Sequence, residues 1–334
     1  MASYSASWTQ VENECGGRPV LDGTVDEMRI QFHGLLDNLL VQYPENKPEV
    51  LVDGGVVDGV KYCVYTPKRR SSQDTVAVHF HGGGLVLGDL YSEDKLCSQL
   101  ADRTGLVLVT VDYRLAPEHK APAQVDDCLK LTEWAAENGA TLLGRKGEDF
   151  TTKVLLVGVS AGGGLALSVT RRIVKGESSA LSADRLAGVV ALAPVTLHPD
   201  NVPAAALEAS GVSGYTSYTE FATDAAIVNR KTMNTFFDAA KAATDSEDAF
   251  PALDTALYTS SHYTYPPAYI AICENDPIRD DGKVVAGLLE TGGRRVKSKI
   301  YNGLPHCFWI FPTILERDDF IDDTVSAISW LLEA

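Results

Sequence analysis

The pentapeptide Gly-Val-Ser-Ala-Gly at residues 158–162 has the residue types of a nucleophilic serine in a tight turn. An apolar, β-branched run (154–159) leads into it, and a run suited to a helix (163–174) follows. This order predicts a buried strand, a sharp turn and a helix, with the hydroxyl of Ser160 exposed above the sheet. A glycine-rich turn whose serine only caps the helix is the alternative, so other residues must decide.

A serine hydroxyl needs a base to become a nucleophile, and the predicted base is His306. His306 follows the last predicted strand (296–301) and precedes the last predicted helix (within 314–333). The other six histidines lie in a helix, inside a strand, in a glycine loop or away from any strand end. They are His33, His79, His81, His119, His198 and His262. The position of His306 therefore favours a catalytic role.

A carboxylate between the serine and the histidine would hold the imidazole in the right tautomer. The predicted strand 268–273 runs into an acidic loop, and Asp276 is the predicted acid of that loop. Glu274 and Asp280 remain alternatives, as does a solvated loop without a catalytic carboxylate.

Three glycines follow the predicted strand 75–80, in the order His81-Gly82-Gly83-Gly84. Without a Cβ, their backbone N–H groups can approach a ligand closely. The N–H groups of Gly83, Gly84 and Ala161 are predicted to form a three-donor oxyanion hole, which stabilises negative oxygen during acyl transfer. A flexible glycine turn is the alternative for the tripeptide alone.

Five ordered motifs together resemble the hormone-sensitive-lipase family of α/β-hydrolases, to which plant-type carboxylesterases and fungal secondary-metabolism hydrolases are similar. The motifs are His81-Gly82-Gly83-Gly84, Asp112-Tyr113-Arg114-Leu115-Ala116-Pro117-Glu118, Gly158-x-Ser160-Ala161-Gly162, Asp276-Pro277-x-Arg279-Asp280 and Pro305-His306-x-Phe308. The chain order Ser, Asp, His is also that of α/β-hydrolases. The resemblance implies a carboxylesterase-like hydrolase without a cofactor. One departure is Val159, where the family commonly has Asp.

Predicted strands and helices alternate along most of the chain, which predicts an α/β fold with a mostly parallel sheet covered by helices on both faces. Residues 195–265 break this alternation and are interpreted as an insertion over the site. The resemblance implies an α/β-hydrolase fold with a helical cap. We therefore expect an N-terminal cap segment (1–50), a catalytic core (51–194 and 266–334) and a cap insertion (195–265).

Large apolar side chains near these motifs are candidates for the wall of a substrate pocket. Two of them, Tyr215 and Phe236, lie in the insertion, and three flank the glycine loop and the histidine. The latter are Leu85, Tyr91 and Trp309. The alternative is that the aromatic residues of the insertion only attach it to the sheet.

Composition limits the partners. The chain has 334 residues, 45% of them hydrophobic, which suffices for one large α/β domain with an inserted cap or for two domains. Its 29 Lys and Arg against 45 Asp and Glu give a net charge of −16, which argues against nucleic acid and anionic membranes as partners. The first ten residues do not resemble a secretion signal, and no apolar run is long enough to span a bilayer. We therefore expect a cytoplasmic protein without membrane insertion.

Six cysteines are scattered without CxxC spacing, and we expect them to be reduced thiols. They do not indicate a zinc site, and the sequence has no His-Glu-x-x-His pattern. We therefore expect no metal site, and the family resemblance implies no cofactor. The sequence predicts no particular oligomeric state.

The function predicted from these residues is hydrolysis of a carboxylic ester or lactone of a small intracellular metabolite, through an acyl-enzyme on Ser160. Acyl transfer, or another biosynthetic step with the same triad, is one alternative. A small-molecule receptor on the same fold is the other. Such receptors lose the base, whereas Ser160, Asp276 and His306 are all present here, so the enzyme is favoured.

Overall fold

The chain is described by a computed structural model at residues 3–43, 49–71, 73–145 and 151–333. The strands of its sheet are β1 (Val50–Val57), β2 (Val60–Pro67), β3 (Thr75–Phe80), β4 (Val107–Asp112), β5 (Lys153–Val159), β6 (Leu186–Leu192), β7 (Ala268–Asn275) and β8 (Val296–Pro305). They form one sheet in the order β1-β2-β4-β3-β5-β6-β7-β8. β2 pairs antiparallel with β1 and β4, and every other neighbouring pair is parallel. The predicted mostly parallel sheet is confirmed.

Helices connect and cover the strands. They are α1 (Ala6–Glu14), α2 (Val25–Leu40), α3 (Asp94–Thr104), α4 (Ala123–Glu137), α5 (Gly139–Leu142), α6 (Ala161–Val174), α7 (Ala204–Ser210), α8 (Ser217–Glu220), α9 (Arg230–Ala240), α10 (Thr255–Thr259), α11 (Arg279–Thr291) and α12 (Glu316–Leu332). Short 3₁₀ segments lie at Ala183–Arg185, Pro251–Leu253 and Phe308–Ile310. None of the helices in the described residues is both long and apolar enough to cross a bilayer.

The core lies on both faces of the sheet because side chains alternate along each strand. In β5, Leu155 and Val157 join one apolar cluster with residues of α3 and α12. Their neighbours Val154 and Leu156 join a second cluster on the other face, with residues of α4, α6 and α11. Burial on both faces explains why β5 is a nearly continuous apolar run.

The carboxyl ends of the parallel strands meet at one edge of the sheet, where open α/β sheets bind ligands. The glycine loop follows β3, Ser160 follows β5, Asp276 follows β7 and His306 follows β8. The topology therefore brings four distant parts of the chain to one place.

The N-terminal segment and the 195–265 insertion contact each other beside this edge. Ile227 donates its N–H to the Pro19 carbonyl at 2.6 Å and accepts a hydrogen bond from the Leu21 N–H at 2.9 Å. α2 also contacts α9, whereas α7 and α10 pack against α11. The division into cap and core stays a prediction.

Candidate active site

Ser160 lies at the sharp turn between β5 and α6, with φ 55° and ψ −119°. This conformation is strained for a residue with a side chain and is typical of functional turns. A Cβ on Gly158 would lie 2.0 Å from the Gly162 carbonyl oxygen, and a Cβ on Gly162 would lie 2.0 Å from the Phe80 carbonyl oxygen. Only glycine fits at either position, so the pentapeptide pattern follows from the packing of the turn.

The structure brings together the three side chains predicted as a triad. His306 Nε2 lies 2.9 Å from Ser160 Oγ, and His306 Nδ1 lies 2.7 Å from Asp276 Oδ2. Ser160, His306 and Asp276 are 5%, 3% and 0% exposed. The other oxygen of Asp276 accepts the N–H of Ile278 at 2.9 Å, which fixes the carboxylate. This arrangement can pass the serine proton to the imidazole.

The two alternative acids face other partners. Glu274 accepts the backbone N–H of Gly303 at 2.6 Å. Asp280 accepts the N–H groups of Thr216 and Ser217 at 2.8 and 2.9 Å. Of the three candidate carboxylates, Asp276 is the one in contact with His306.

Two of the predicted oxyanion donors, Gly83 and Gly84, line the same cavity as Ser160, and the third, Ala161, follows Ser160 in the chain. Gly83 and Gly84 have φ of 115° and 63°, a region that favours glycine. Ala161 is the first residue of α6, so its N–H has no partner within the helix. In the described part of the chain, no group accepts a hydrogen bond from the N–H of Gly83, Gly84 or Ala161. These donors are available to a ligand, and their role in an oxyanion hole stays a prediction.

His81 belongs to the framework of the glycine loop. Its ring stacks on that of Tyr113 with centroids 4.1 Å apart, and Nδ1 donates to the Gly82 carbonyl at 2.7 Å. The Tyr113 hydroxyl donates to the His81 carbonyl at 2.8 Å. Burial lowers the pKa of His81, which favours the neutral imidazole.

Three cavities surround the site. The first, of about 50 Å³, is lined by Ser160, His306, Gly83, Gly84 and Phe236 among others. The second, of about 30 Å³, is lined by Gly84, Ala161, Leu85 and Phe237. The third, of about 390 Å³, shares wall residues with the first. The shared residues are Leu36, Ser92, Glu93 and Ile310.

The five predicted pocket residues therefore lie in different places. Phe236 and Leu85 line the two small cavities, and Tyr91 and Trp309 line the large one. Tyr215 lines none of the three, and its place in a substrate pocket stays a prediction. Its hydroxyl donates to the buried carboxylate of Asp281 at 2.6 Å, so it attaches the insertion to α11. The sequence of the insertion does not indicate whether an aromatic side chain lines a cavity or packs against the core.

Sequence reasoning missed several residues that line the first cavity. Leu21, Leu36 and Ile227 come from the N-terminal segment and the insertion, where no motif marks them. Glu93 comes from the start of α3, and its carboxylate accepts the N–H of Gly82 at 2.8 Å. Cys307 follows His306 directly, and this adjacency was the only available signal. Over the described ranges there is no group of His, Cys, Asp and Glu side chains suited to a metal ion.

Comparison with known proteins agrees with this geometry. The family model described as the α/β hydrolase fold matches residues 77–310. The chain is 37% identical over 329 residues to the versiconal hemiacetal acetate esterase of Dothistroma septosporum, covering 98% of this chain and 95% of that one. It is 31% identical over 334 residues to the enzyme of the same name from Aspergillus parasiticus, covering 98% of each.

A solved esterase structure is also similar to this chain. The hyperthermophilic esterase of the archaeon Pyrobaculum calidifontis is 28% identical and superposes with a TM-score of 0.79 over 100% of both chains. The fold, the ordered motifs and these relatives agree with one another. The chain belongs to the hormone-sensitive-lipase-like family of α/β-hydrolases and is a carboxylesterase-like hydrolase.

Proposed function

We propose that the protein hydrolyses a carboxylic ester or lactone of a small intracellular metabolite through an acyl-enzyme on Ser160. The observation that carries this proposal is the hydrogen-bonded chain from Ser160 Oγ through His306 to Asp276. A buried serine, imidazole and carboxylate in this order are the groups that acyl transfer requires.

The proposed reaction has two stages. His306 Nε2 takes the proton of Ser160, whose oxygen attacks the acyl carbon, while the N–H groups of Gly83, Gly84 and Ala161 stabilise the negative oxygen. His306 then donates the proton to the leaving alcohol. Water enters, His306 takes a proton from it, and the resulting hydroxide attacks the acyl carbon. The bond to Ser160 then breaks, the acid leaves, and His306 returns the proton to the serine oxygen. Asp276 stabilises the imidazolium that forms in each stage.

The cavities support a short acyl group and a larger alcohol. The cavity at Gly84 and Ala161 is about 30 Å³ and is closed by apolar residues that include Phe237 and Phe250. The cavity that adjoins the Ser160 cavity on another side is about 390 Å³ and includes Tyr91 and Trp309. Two relatives are named for an acetate ester. We therefore place a group such as acetyl near Phe237 and the alcohol part in the large cavity.

The test of the reaction uses p-nitrophenyl acetate and a fluorophosphonate label. The wild type should turn over the ester and be labelled at Ser160. Ser160→Ala should lose roughly 10⁶-fold in kcat with an unchanged Tm. Residual activity within tenfold of wild type would overturn the role of Ser160. Labelling without turnover would instead favour a receptor, and product formation only with an added acceptor alcohol would favour acyl transfer.

The test of the acyl site compares p-nitrophenyl acetate with p-nitrophenyl octanoate. Phe237→Leu should raise the relative kcat/KM for octanoate, by an amount equivalent to about 1–3 kcal/mol. Phe221→Leu is the matched control, because Phe221 is buried in the same insertion and lines none of the three cavities. An equal change for both esters, or the same shift in the control, would contradict the placement.

A further inference from the structure

Glu93 has a buried carboxylate with two distinct partners at the wall of the site. Its side chain is 11% exposed. Oε1 accepts the backbone N–H of Gly82 at 2.8 Å, and Oε2 lies 2.8 Å from Nε2 of His79. Within the described residues, His79 is the one basic side chain paired with this carboxylate.

The first partner belongs to the loop that carries the proposed oxyanion donors. Gly82 immediately precedes Gly83 and Gly84, whose N–H groups have no acceptor in the described residues. A Cβ placed on Gly82 would lie 3.2 Å from Glu93 Oε1 and 3.4 Å from Ser160 Cβ. The carboxylate therefore holds the loop at the point where it passes the nucleophile.

The second partner of Glu93 is a buried imidazole. A buried charge is costly unless it is paired. The His79 ring lies in β3 and is 1% exposed, and it contacts Oε2 without the alignment of a hydrogen bond. His79 thus contacts the second oxygen of Glu93 from strand β3.

We infer that Glu93 is a positioning residue for the oxyanion hole, which it orients through Gly82, and that His79 stabilises Glu93 in that role. The inference rests on the proposed function. Because Glu93 acts on donors used mainly in the transition state, its loss should lower kcat more than it raises KM.

The experiment compares Glu93→Leu with Glu93→Gln on p-nitrophenyl acetate. The Gln amide oxygen can still accept the Gly82 N–H, so Glu93→Gln should keep kcat within about threefold of wild type. Glu93→Leu has no acceptor and should lower kcat roughly 10- to 100-fold, below the loss for a whole oxyanion donor, with KM within about twofold. Fluorophosphonate labelling of Ser160 should slow by a similar factor.

Glu133→Leu is the matched control. Glu133 accepts the backbone N–H of Ser179 at 3.0 Å, in a part of the chain that lines none of the three cavities. This variant should keep wild-type kcat and KM. Equal losses in Glu93→Leu and Glu93→Gln would overturn the inference, as would a raised KM with unchanged kcat. An inactive wild type would instead overturn the proposed function.

If Glu93→Leu does not fold, a second pair of variants tests the positioning role of Glu93. His79→Phe leaves the Glu93 carboxylate buried without its partner, so it should lower kcat. In the double variant with Glu93→Gln, the neutral amide needs no such partner, and kcat should recover at least in part. Additive losses in the double variant would overturn the inference.

Discussion

At the scale of single residues, the acid of the site is defined by what each carboxylate already binds. Glu274 holds the backbone of Gly303, and Asp280 holds the backbone of Thr216 and Ser217. Asp276 keeps one oxygen for His306. The loop and its three acids can be read from the sequence, but only their hydrogen-bonding partners in the fold distinguish them.

Asp276→Asn should lower kcat by about 10⁴-fold, because an amide at this position favours the wrong imidazole tautomer. Steady-state hydrolysis of p-nitrophenyl acetate measures the effect. Glu274→Gln and Asp280→Asn are the controls and should retain far more activity. The assignment of Asp276 fails if either control shows the large loss and Asp276→Asn does not.

Gly84→Ala should both destabilise the protein and reduce activity. A Cβ on Gly84 would lie 2.0 Å from Cδ2 of the Phe236 ring, and φ is +63°. Gly59→Ala is the control, since Gly59 has φ +85° with no atom within 4 Å of the added Cβ. Both variants carry the backbone cost of a positive φ, about 1–2 kcal/mol. If thermal unfolding shows equal losses, the ring contact contributes nothing.

At the scale of elements, the sequence predicted those with strong periodicity. The sequence predicts a helix over Ala123–Glu137, which is α4, and the alternating run 60–66 predicts a strand, which lies within β2. The prediction missed α1, in which only Trp8 and Val11 are buried, because two apolar positions give little periodicity.

The prediction also missed β1, although a signal was present. Asp58-Gly59 joins β1 to β2, and both residues have positive φ, as a two-residue hairpin turn requires. β1 lies at the edge of the sheet, and its Asp53-Gly54-Gly55 interrupts the apolar pattern. The Asp58-Gly59 turn therefore indicates this hairpin more clearly than the residues of β1 do.

Asp281 connects α11 to the insertion and should make stability depend on pH. It accepts the N–H groups of Thr196 and Leu197 and the hydroxyl of Tyr215. Burial is the main cause that raises the pKa of Asp281 to about 7, from an ordinary 3.8, and the Asp276 charge adds to it. Because the folded pKa is higher, the folded state holds the extra proton between these values. The contribution of protonated Asp281 to the stability of the folded state is complete below about pH 4 and is lost as the pH rises through 7.

The comparison of wild type with Asp281→Asn tests this expectation. The wild type should lose stability relative to the variant as the pH rises from 5 to 8, by at most about 1.4 kcal/mol per pH unit. Thermal unfolding at each pH measures the difference. Tyr215→Phe keeps the carboxylate but removes a hydrogen bond that lowers its pKa, so its transition should move to higher pH. If the Tm of wild type and of Asp281→Asn changed equally with pH, the expectation would be contradicted.

At the scale of the whole molecule, the sheet separates two apolar clusters, and most of the thiols are buried in the fold. Five of the six cysteines are buried, and Cys15 is exposed. Burial raises the pKa of Cys128 and of Cys307, which keeps these thiols protonated and unreactive.

Native protein should therefore expose one fast-reacting thiol to Ellman's reagent, and six after unfolding in guanidinium. Cys15→Ser should remove the fast thiol and leave esterase activity unchanged. Cys307 lines the Ser160 cavity, so a second fast thiol accompanied by loss of activity would show that this cavity opens to the reagent.

The contact between the N-terminal segment and the insertion also has a consequence for synthesis on the ribosome. Leu21 lines the Ser160 cavity, and its carbonyl accepts the hydroxyl of Thr232, 211 residues later in the chain. At roughly 5–20 residues per second, translation reaches that partner about 10–40 seconds after Leu21 is made. During this interval Leu21 lacks the partners that the insertion supplies, Ile227 and Thr232. We therefore expect the beginning of this chain to stay incompletely folded until its second half is translated.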